Sequence, residues 1–226
     1  MNYSLIIPLY NEDRTLPRLI KKLKNLENEN IEVIIIDDGS NDKTKEILFK
    51  NNQFIIKRNK VNLGKGASII KGVSLASNKN IILMDGDLEI DINDVQNLIY
   101  EYENSKLDVL TGVRWNEKND YKKYNVNMLG NYIINIFFNL LFKTKFNDVL
   151  CCVKIMSIKV FRSLNIQSQG FSIEVETMGK LVLNRFTIEE MPVRYNRRTT
   201  QEGKKLKFSD GWHILGTMLK MRFTKK

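Results

Sequence analysis

An open α/β fold with a largely parallel central sheet is what these 226 residues predict, on three observations. Short runs rich in Ile, Val and Leu alternate with segments whose apolar residues recur every three or four positions. No repeat or low-complexity linker interrupts the alternation. Three of the apolar runs stop abruptly at polar or acidic residues, at the end where an open parallel sheet takes ligands.

In chain order, buried strands are expected at Leu5–Leu9, Val33–Ile36, Phe54–Ile56, Ile81–Met84 and Val109–Val113, with a further one near Glu190–Tyr195. Leu16, Leu19, Ile20, Leu23 and Leu26 follow a 3.6-residue period. Asn41 or Asp42 can cap a helix running through Phe49; Ala67, Ile70, Val73 and Leu75 supply another, and Val95, Leu98, Ile99 and Tyr102 a fourth. Apolar helical patterns follow near Asn125–Phe142, Ser172–Leu183 and Phe208–Phe223. The only prolines are Pro8, Pro17 and Pro192, so the expected organisation is one domain over 1–226, with a change of character near Arg114.

A 42% hydrophobic content supports a sizeable core and excludes disordered and fibrous classes. Cys151 and Cys152 are adjacent, a spacing that rarely forms a disulfide and supplies too few zinc ligands, which points to a reducing compartment. Met1 leads directly into strand-like residues, so no signal peptide is expected. The segment from Met128 to Phe142 carries Asn131, Asn135 and Asn139 and falls short of the roughly 20 residues that span a bilayer. Net charge is +10, and residues 191–226 hold ten Lys or Arg against Glu202 and Asp210. Such a segment suits phosphates, anionic lipid or nucleic acid, or serves only solubility.

The most informative stretch runs from Ile81 to Asp91, where an apolar run gives way to Asp85, Asp87 and Glu89. Residues two apart on an extended chain share a face, so a strand ending in alternate carboxylates builds a hard-oxygen metal site. A solvated acidic turn would look the same in isolation. Two further polar strand ends change the weighing. Pro8-Leu9-Tyr10-Asn11-Glu12 offers an aromatic face and a carboxylate to a base and ribose, or merely a capped loop. Asp37-Asp38-Gly39-Ser40 offers carboxylates suited to ribose hydroxyls or base N–H groups. Asn62-Leu63-Gly64-Lys65-Gly66-Ala67 opens a helix with a lysine and two glycines that could favour an anion, without the spacing of a P-loop.

These stretches, in this order and spacing, resemble glycosyltransferase family 2, and the resemblance covers nearly the whole chain. It implies the GT-A nucleotide-diphosphosugar-binding fold. Asp85-Gly86-Asp87-Leu88-Glu89 looks like the Asp-x-Asp motif of the dolichol-phosphate mannosyltransferase and polyprenyl-phosphate glycosyltransferase branch, with Glu89 where that branch usually has Gln. Gly112-Val113-Arg114 resembles its Gly-Ser-Arg strand end, and Asn147 to Lys154 its Asp-x-x-Ser-Gly-Phe-Arg segment, with Cys152 where glycine is common. Gly170 to Glu176 resembles its Gly-Phe-x-x-Glu helix start. Met191 to Tyr195 with Arg197, Arg198, Gly203, Lys204, Lys205 and Leu206 resembles its Val-Pro-Ile strand and basic loop, here about two residues longer.

The resemblance implies single-step inverting transfer of a hexose from a GDP- or UDP-sugar to a polyprenyl or dolichyl phosphate. Residues 1–113 would bind the nucleotide sugar, through Pro8, Tyr10, Glu12, Asp37, Asp38, Lys65 and Asp85, and residues 114–226 the acceptor. Mg²⁺ or Mn²⁺ on Asp87 and Glu89 would neutralise the departing pyrophosphate, with Asp85 reaching the ribose or sharing the metal. Arg114, Arg197 and Arg198, with Lys204 and Lys205, would hold the acceptor phosphate in line. Of these, Asp87, Arg114, Arg197 and Arg198 are the expected catalytic set. A hydroxyl acceptor, on a glycan or lipid-linked sugar, would instead need a base from Asp148, Glu174 or Glu176, whose other reading is sugar binding or helix capping. His213 is read as packing or surface.

The amphipathic segments 125–142 and 208–223 are expected either to lie on the cytoplasmic face of a membrane or to pack onto the core or a second subunit. A basic nucleic-acid-binding module would account for the charge but not for an acidic crevice. The base and the sugar stay open.

Overall fold

A computed structural model describes residues 3–27, 31–51, 53–115, 126–198 and 208–224. The chain runs β1 (Tyr3–Leu9), α1 (Leu16–Glu27), β2 (Ile31–Asp37), α2 (Thr44–Phe49), β3 (Ile55–Arg58), α3 (Lys65–Leu75), β4 (Asn80–Leu83), α4 (Asp94–Asn104) and β5 (Val109–Val113). It continues through α5 (Val126–Phe142), β6 (Lys154–Ser157), α6 (Ile158–Ser163), α7 (Ile173–Leu183), β7 (Ile188–Pro192) and α8 (Phe208–Phe223). The strands form one sheet ordered β3-β2-β1-β4-β6-β5-β7. Every neighbouring pair is parallel except the two made by β6, which is antiparallel to both β4 and β5.

The alternation of side chains along β1 builds a core on each face of the sheet. Leu5, Ile7 and Leu9 pack with the Leu16, Leu19 and Leu23 stripe of α1 on one side. Ile6 packs with Ile69 and Val73 of α3 on the other, in a core that continues through α5, α7 and α8. Each such fully buried leucine or isoleucine contributes about 1.5–3 kcal/mol relative to exposure. The two-sided burial explains the near-continuous apolar runs of β1 and β2.

The expected α/β architecture is the observed one, with two local differences. β6 and the short α6 have no counterpart in the sequence expectation, because β6 begins at a lysine, which reads as an exposed position. The strand expected through Met84 stops at Leu83, and Asp85, Asp87 and Glu89 lie on the turn that follows. Their grouping is therefore made by turn geometry and not by strand alternation.

Among the described residues no helix is long and apolar enough to cross a membrane. α5 instead exposes Leu129, Tyr132, Ile133, Ile136 and Leu140, a single stripe at helical spacing. α8 does the same with Trp212, Leu219 and Phe223. The helices are joined by Arg222 Nε donating to Leu141 O at 3.1 Å. Asn135 and Asn139 of α5 are spent internally: both amides donate to Phe146 O at 2.7 Å, and Val149 N donates back to Asn135 Oδ1 at 3.0 Å.

Candidate active site

The parallel strands β1, β2, β4, β5 and β7 end along one edge of the sheet, and among the described residues the strand ends singled out in the sequence, after β1, β2, β4 and β5, meet there. After β2, Asp37 and Asp38 are nearly wholly buried. Asp37 accepts from Arg58 Nη1 at 2.6 Å and Ser40 N at 2.9 Å. Asp38 accepts from Asn59 Nδ2 at 2.7 Å, Leu63 N at 3.0 Å and Gly64 N at 2.8 Å. The pair thus ties the loop before α3 to the sheet. Pro8 lies inside β1 in register with Ile36, and half-buried Tyr10 follows the strand end. Glu12 is buried, and its carboxylate receives Arg198 Nη1 at 2.8 Å and Nη2 at 3.1 Å.

The start of α3 lies against the segment before α7. A Cβ on Gly66 would stand 2.0 Å from Ser168 O, and one on Gly64, whose φ is +96°, would stand 2.5 Å from Gln169 O. Both positions therefore require glycine. Ala67 N donates to Gln169 O, so this helix start is partly satisfied by the chain itself. Lys65 projects from it to Asp85 at 2.7 Å and Glu174 at 2.8 Å. Burial disfavours its charge, but Asp85 and Glu174 hold it protonated well beyond the ordinary lysine range. Lys65, expected to favour an anion, here bridges two carboxylates.

The turn 85–89 is tight. Leu88 adopts φ +60°, a strained conformation for a leucine, and Glu89 N donates to Asp87 Oδ1 at 3.0 Å. Gly86 lies so close to β1 that a Cβ would stand 2.1 Å from Leu9 Cδ2. Burial and the neighbouring Asp85 and Glu89 carboxylates push Asp87 up to about 7, with Arg198 acting in the opposite direction. Arg198 Nη2 reaches Asp87 Oδ2 at 3.2 Å. Glu89 is held by the segment after β7: its oxygens accept from Tyr195 OH at 3.1 Å and Arg198 N at 3.0 Å, and its carbonyl accepts from Asn196 N. An amide at this position would keep only one of the two side-chain acceptors.

Arg114 at the end of β5 is gripped by Asp148, which takes Nε at 2.7 Å, Nη2 at 2.8 Å and the Arg114 backbone N at 3.0 Å. Its guanidinium lies over Trp115 and Tyr195 at 5.2 and 5.5 Å. Burial opposes the charge, but Asp148 fixes it well above the ordinary range. Asp148 N in turn donates to Glu190 Oε1 at 2.8 Å. Arg197 Nη1 is buried and has no hydrogen-bond partner among the described residues. Lys204 and Lys205 lie outside the described residues. Burial works against the Glu174 charge, yet Lys154 and Lys65 outweigh it and hold the carboxyl below its ordinary value. Glu176 is likewise lowered against burial, by Lys180 and the Gln167 and Ser168 amides.

Among the described residues no group of three or more His, Cys, Asp or Glu side chains converges as a protein cage for a metal would. The carboxylates nonetheless fit a divalent cation shared with a ligand. Magnesium-type sites commonly use one or two carboxylates plus substrate phosphates, and the like-charge crowding that raises Asp87 is what a cation would relieve. Each carboxylate of the turn is already contacted within the protein, Asp85 by Lys65, Asp87 by Arg198 and Glu89 by Tyr195 and the Arg198 amide, so a cation would share or displace these partners.

Three residues without an expected role enter the site. Tyr195 links Glu89 to Arg114, Trp115 covers Arg114, and buried Lys154 contacts Glu174. A lysine inside the apolar run Val153-Lys154-Ile155-Met156 was the available signal for the last. His213 is exposed on α8.

The model of a family described as glycosyl transferase family 2 matches residues 4–164. A dolichyl-phosphate beta-glucosyltransferase of Dictyostelium discoideum is 25% identical, over 97% of this chain and 73% of that protein. A dodecaprenyl-phosphate galacturonate synthase of Rhizobium johnstonii is 26% identical, over 75% of this chain and 52% of its own length. Glucosyl-3-phosphoglycerate synthase from Mycobacterium tuberculosis, solved with Mn²⁺, UDP and glucosyl-3-phosphoglycerate, superposes with a TM-score of 0.78 at 15% identity. That match covers 100% of this chain and 81% of the other and is a likeness of fold.

Proposed function

The chain is a glycosyltransferase belonging to family 2, and from that premise we propose that it transfers a hexose from a GDP- or UDP-sugar to a polyprenyl or dolichyl phosphate. The reaction would use Mg²⁺ or Mn²⁺ at the cytoplasmic face of a membrane. The observation that carries this reading is the meeting of the carboxylate turn 85–89 with the arginine segment 195–198 at one sheet edge, Asp87 against Arg198 at 3.2 Å. Carboxylates suit a cation that accompanies a pyrophosphate; arginines beside them suit a second anion.

In this reading residues 1–113 hold the donor and residues 114–226 the acceptor. Tyr10 and the 37–38 strand end would flank the nucleotide. Asp87 and Asp85 would hold the divalent ion, which when bound supplies electrostatic stabilisation to the departing diphosphate. Arg114, prevented from swinging by Asp148, Trp115 and Tyr195, would present a fixed cation to the acceptor phosphate. Arg197, whose buried Nη1 has no hydrogen-bond partner among the described residues, would complete that contact. A phosphate acceptor is already anionic, so it needs orientation more than deprotonation.

The competing reading, a sugar hydroxyl as acceptor, needs a general base. Glu174 and Glu176 are depressed by their cationic and amide partners, and Asp148 is gripped by Arg114, so all three are weak candidates. The apolar stripes of α5 and α8, with Lys143, Lys145, Lys220 and Arg222 beside them, support a peripheral seat on anionic lipid. Incubation of radiolabelled GDP- and UDP-sugars with dolichyl phosphate and Mn²⁺ tests the proposal. A chloroform-soluble, metal-dependent product is expected, and transfer only to glycan would replace it with the hydroxyl reading.

A further inference from the structure

We propose that Lys154 is a positioning residue for the donor end of the site, setting Asp85 through Glu174 and Lys65; the role given to Asp85 rests on the donor reading above. Lys154 opens β6 and is wholly buried. Because β6 runs against its neighbours, its first residue comes to the edge where β4 ends, in register with Leu83. A lysine there is costly unless its charge is paired. Its ammonium donates to Cys151 O and to Glu174 Oε2.

The other Glu174 oxygen lies 2.8 Å from Lys65 Nζ, which lies 2.7 Å from Asp85 Oδ1 and 2.8 Å from Oδ2. Cation, carboxylate, cation and carboxylate thus alternate from the buried strand to the acidic turn. Two charges of each sign balance. Without Lys154, Lys65 alone would serve two carboxylates, and the better-buried Glu174 would draw it away from Asp85. The far end of the chain would then be free to turn. Groups that orient the residues around a metal site typically change affinity or activity by about 10-fold to 100-fold when removed.

The test is calorimetric titration of Mn²⁺ with UDP or GDP into the full chain carrying Lys154→Met, Lys154→Gln or Lys154→Arg. For the nucleotide that the unaltered protein binds, Lys154→Met and Lys154→Gln should weaken binding at least about 10-fold. Lys154→Arg, which keeps the charge, should recover most of it. Lys154→Gln retains donors towards Cys151 O, so it stands in for Lys154→Met should that variant not fold. A folded neutral variant that binds as tightly as the unaltered protein overturns the role, whatever its melting temperature. If the unaltered protein binds neither nucleotide, the donor reading falls by itself. The positioning is then judged on crystal structures of the neutral variants, where an undisturbed Lys65–Asp85 contact would overturn it.

Discussion

Two acidic strand ends with similar sequences have opposite electrostatic characters. After β2, Asp37 and Asp38 are buried and surrounded by donors, Arg58 and Ser40 for the first and Asn59, Leu63 and Gly64 for the second. After β4, Asp85, Asp87 and Glu89 crowd one another, and burial together with these neighbours pushes Asp87 up to about 7. The first pair is satisfied by the protein and fixes a loop. At the second, Asp85 is paired with Lys65, while Asp87 shares Arg198 with Glu12 and is left short of positive charge, the condition a bound cation would meet. A carboxylate pair at a strand end is thus not one signal but two, separated by what the rest of the fold supplies.

The sharpest way to break the comparison is Asp87→Ala. It should lower transferase activity by about 1,000-fold, since stabilising charge on a leaving diphosphate is worth several kcal/mol, while the melting temperature holds or rises because like-charge repulsion is relieved. A large fall in melting temperature would show that Asp87 is structural after all. Asp38→Ala should do the reverse, costing about 3 kcal/mol in denaturant unfolding as buried donors lose their acceptor; an unchanged midpoint would remove the contrast between the two ends.

Gly86→Ala comes next. A methyl 2.1 Å from Leu9 Cδ2 must displace the acidic turn or β1, at about 1–3 kcal/mol, and nucleotide binding measured by thermal shift should weaken with it. The smallest effect concerns acid stability. Glu176 is held below its ordinary value, so the native state binds fewer protons than the unfolded chain, and its contribution is present above that value and lost as pH falls through the depressed one. Glu176→Gln should therefore narrow the difference in melting temperature between pH 6 and pH 3; an unaltered difference would assign the acid limb to other groups.

Much of this was legible because local rules and fold agree. The Leu16–Leu26 stripe became α1, and the apolar runs before Asp37 and Asp85 became parallel strands on either side of β1. β6 was hidden because it opens at Lys154, a charge that argues locally against burial, whereas the equally short β4 is an unbroken Ile-Ile-Leu run after its first residue. Asn135 and Asn139, which in sequence look like breaks in an apolar helix, hold the Phe146–Val149 segment that carries Asp148.

By itself the sequence determined the alternating architecture, the edge at which polar residues gather and the chemical types gathered there, since these follow from periodicity and from where apolar runs stop. Only the tertiary structure decided which charges are spent and which remain for a ligand. It gave Asp38 three donors, set Glu89 on Tyr195 and the Arg198 amide, and clasped Arg114 with Asp148. The reason is that a charge's role depends on its partners in space, and these partners stand from 21 to 109 residues away along the chain.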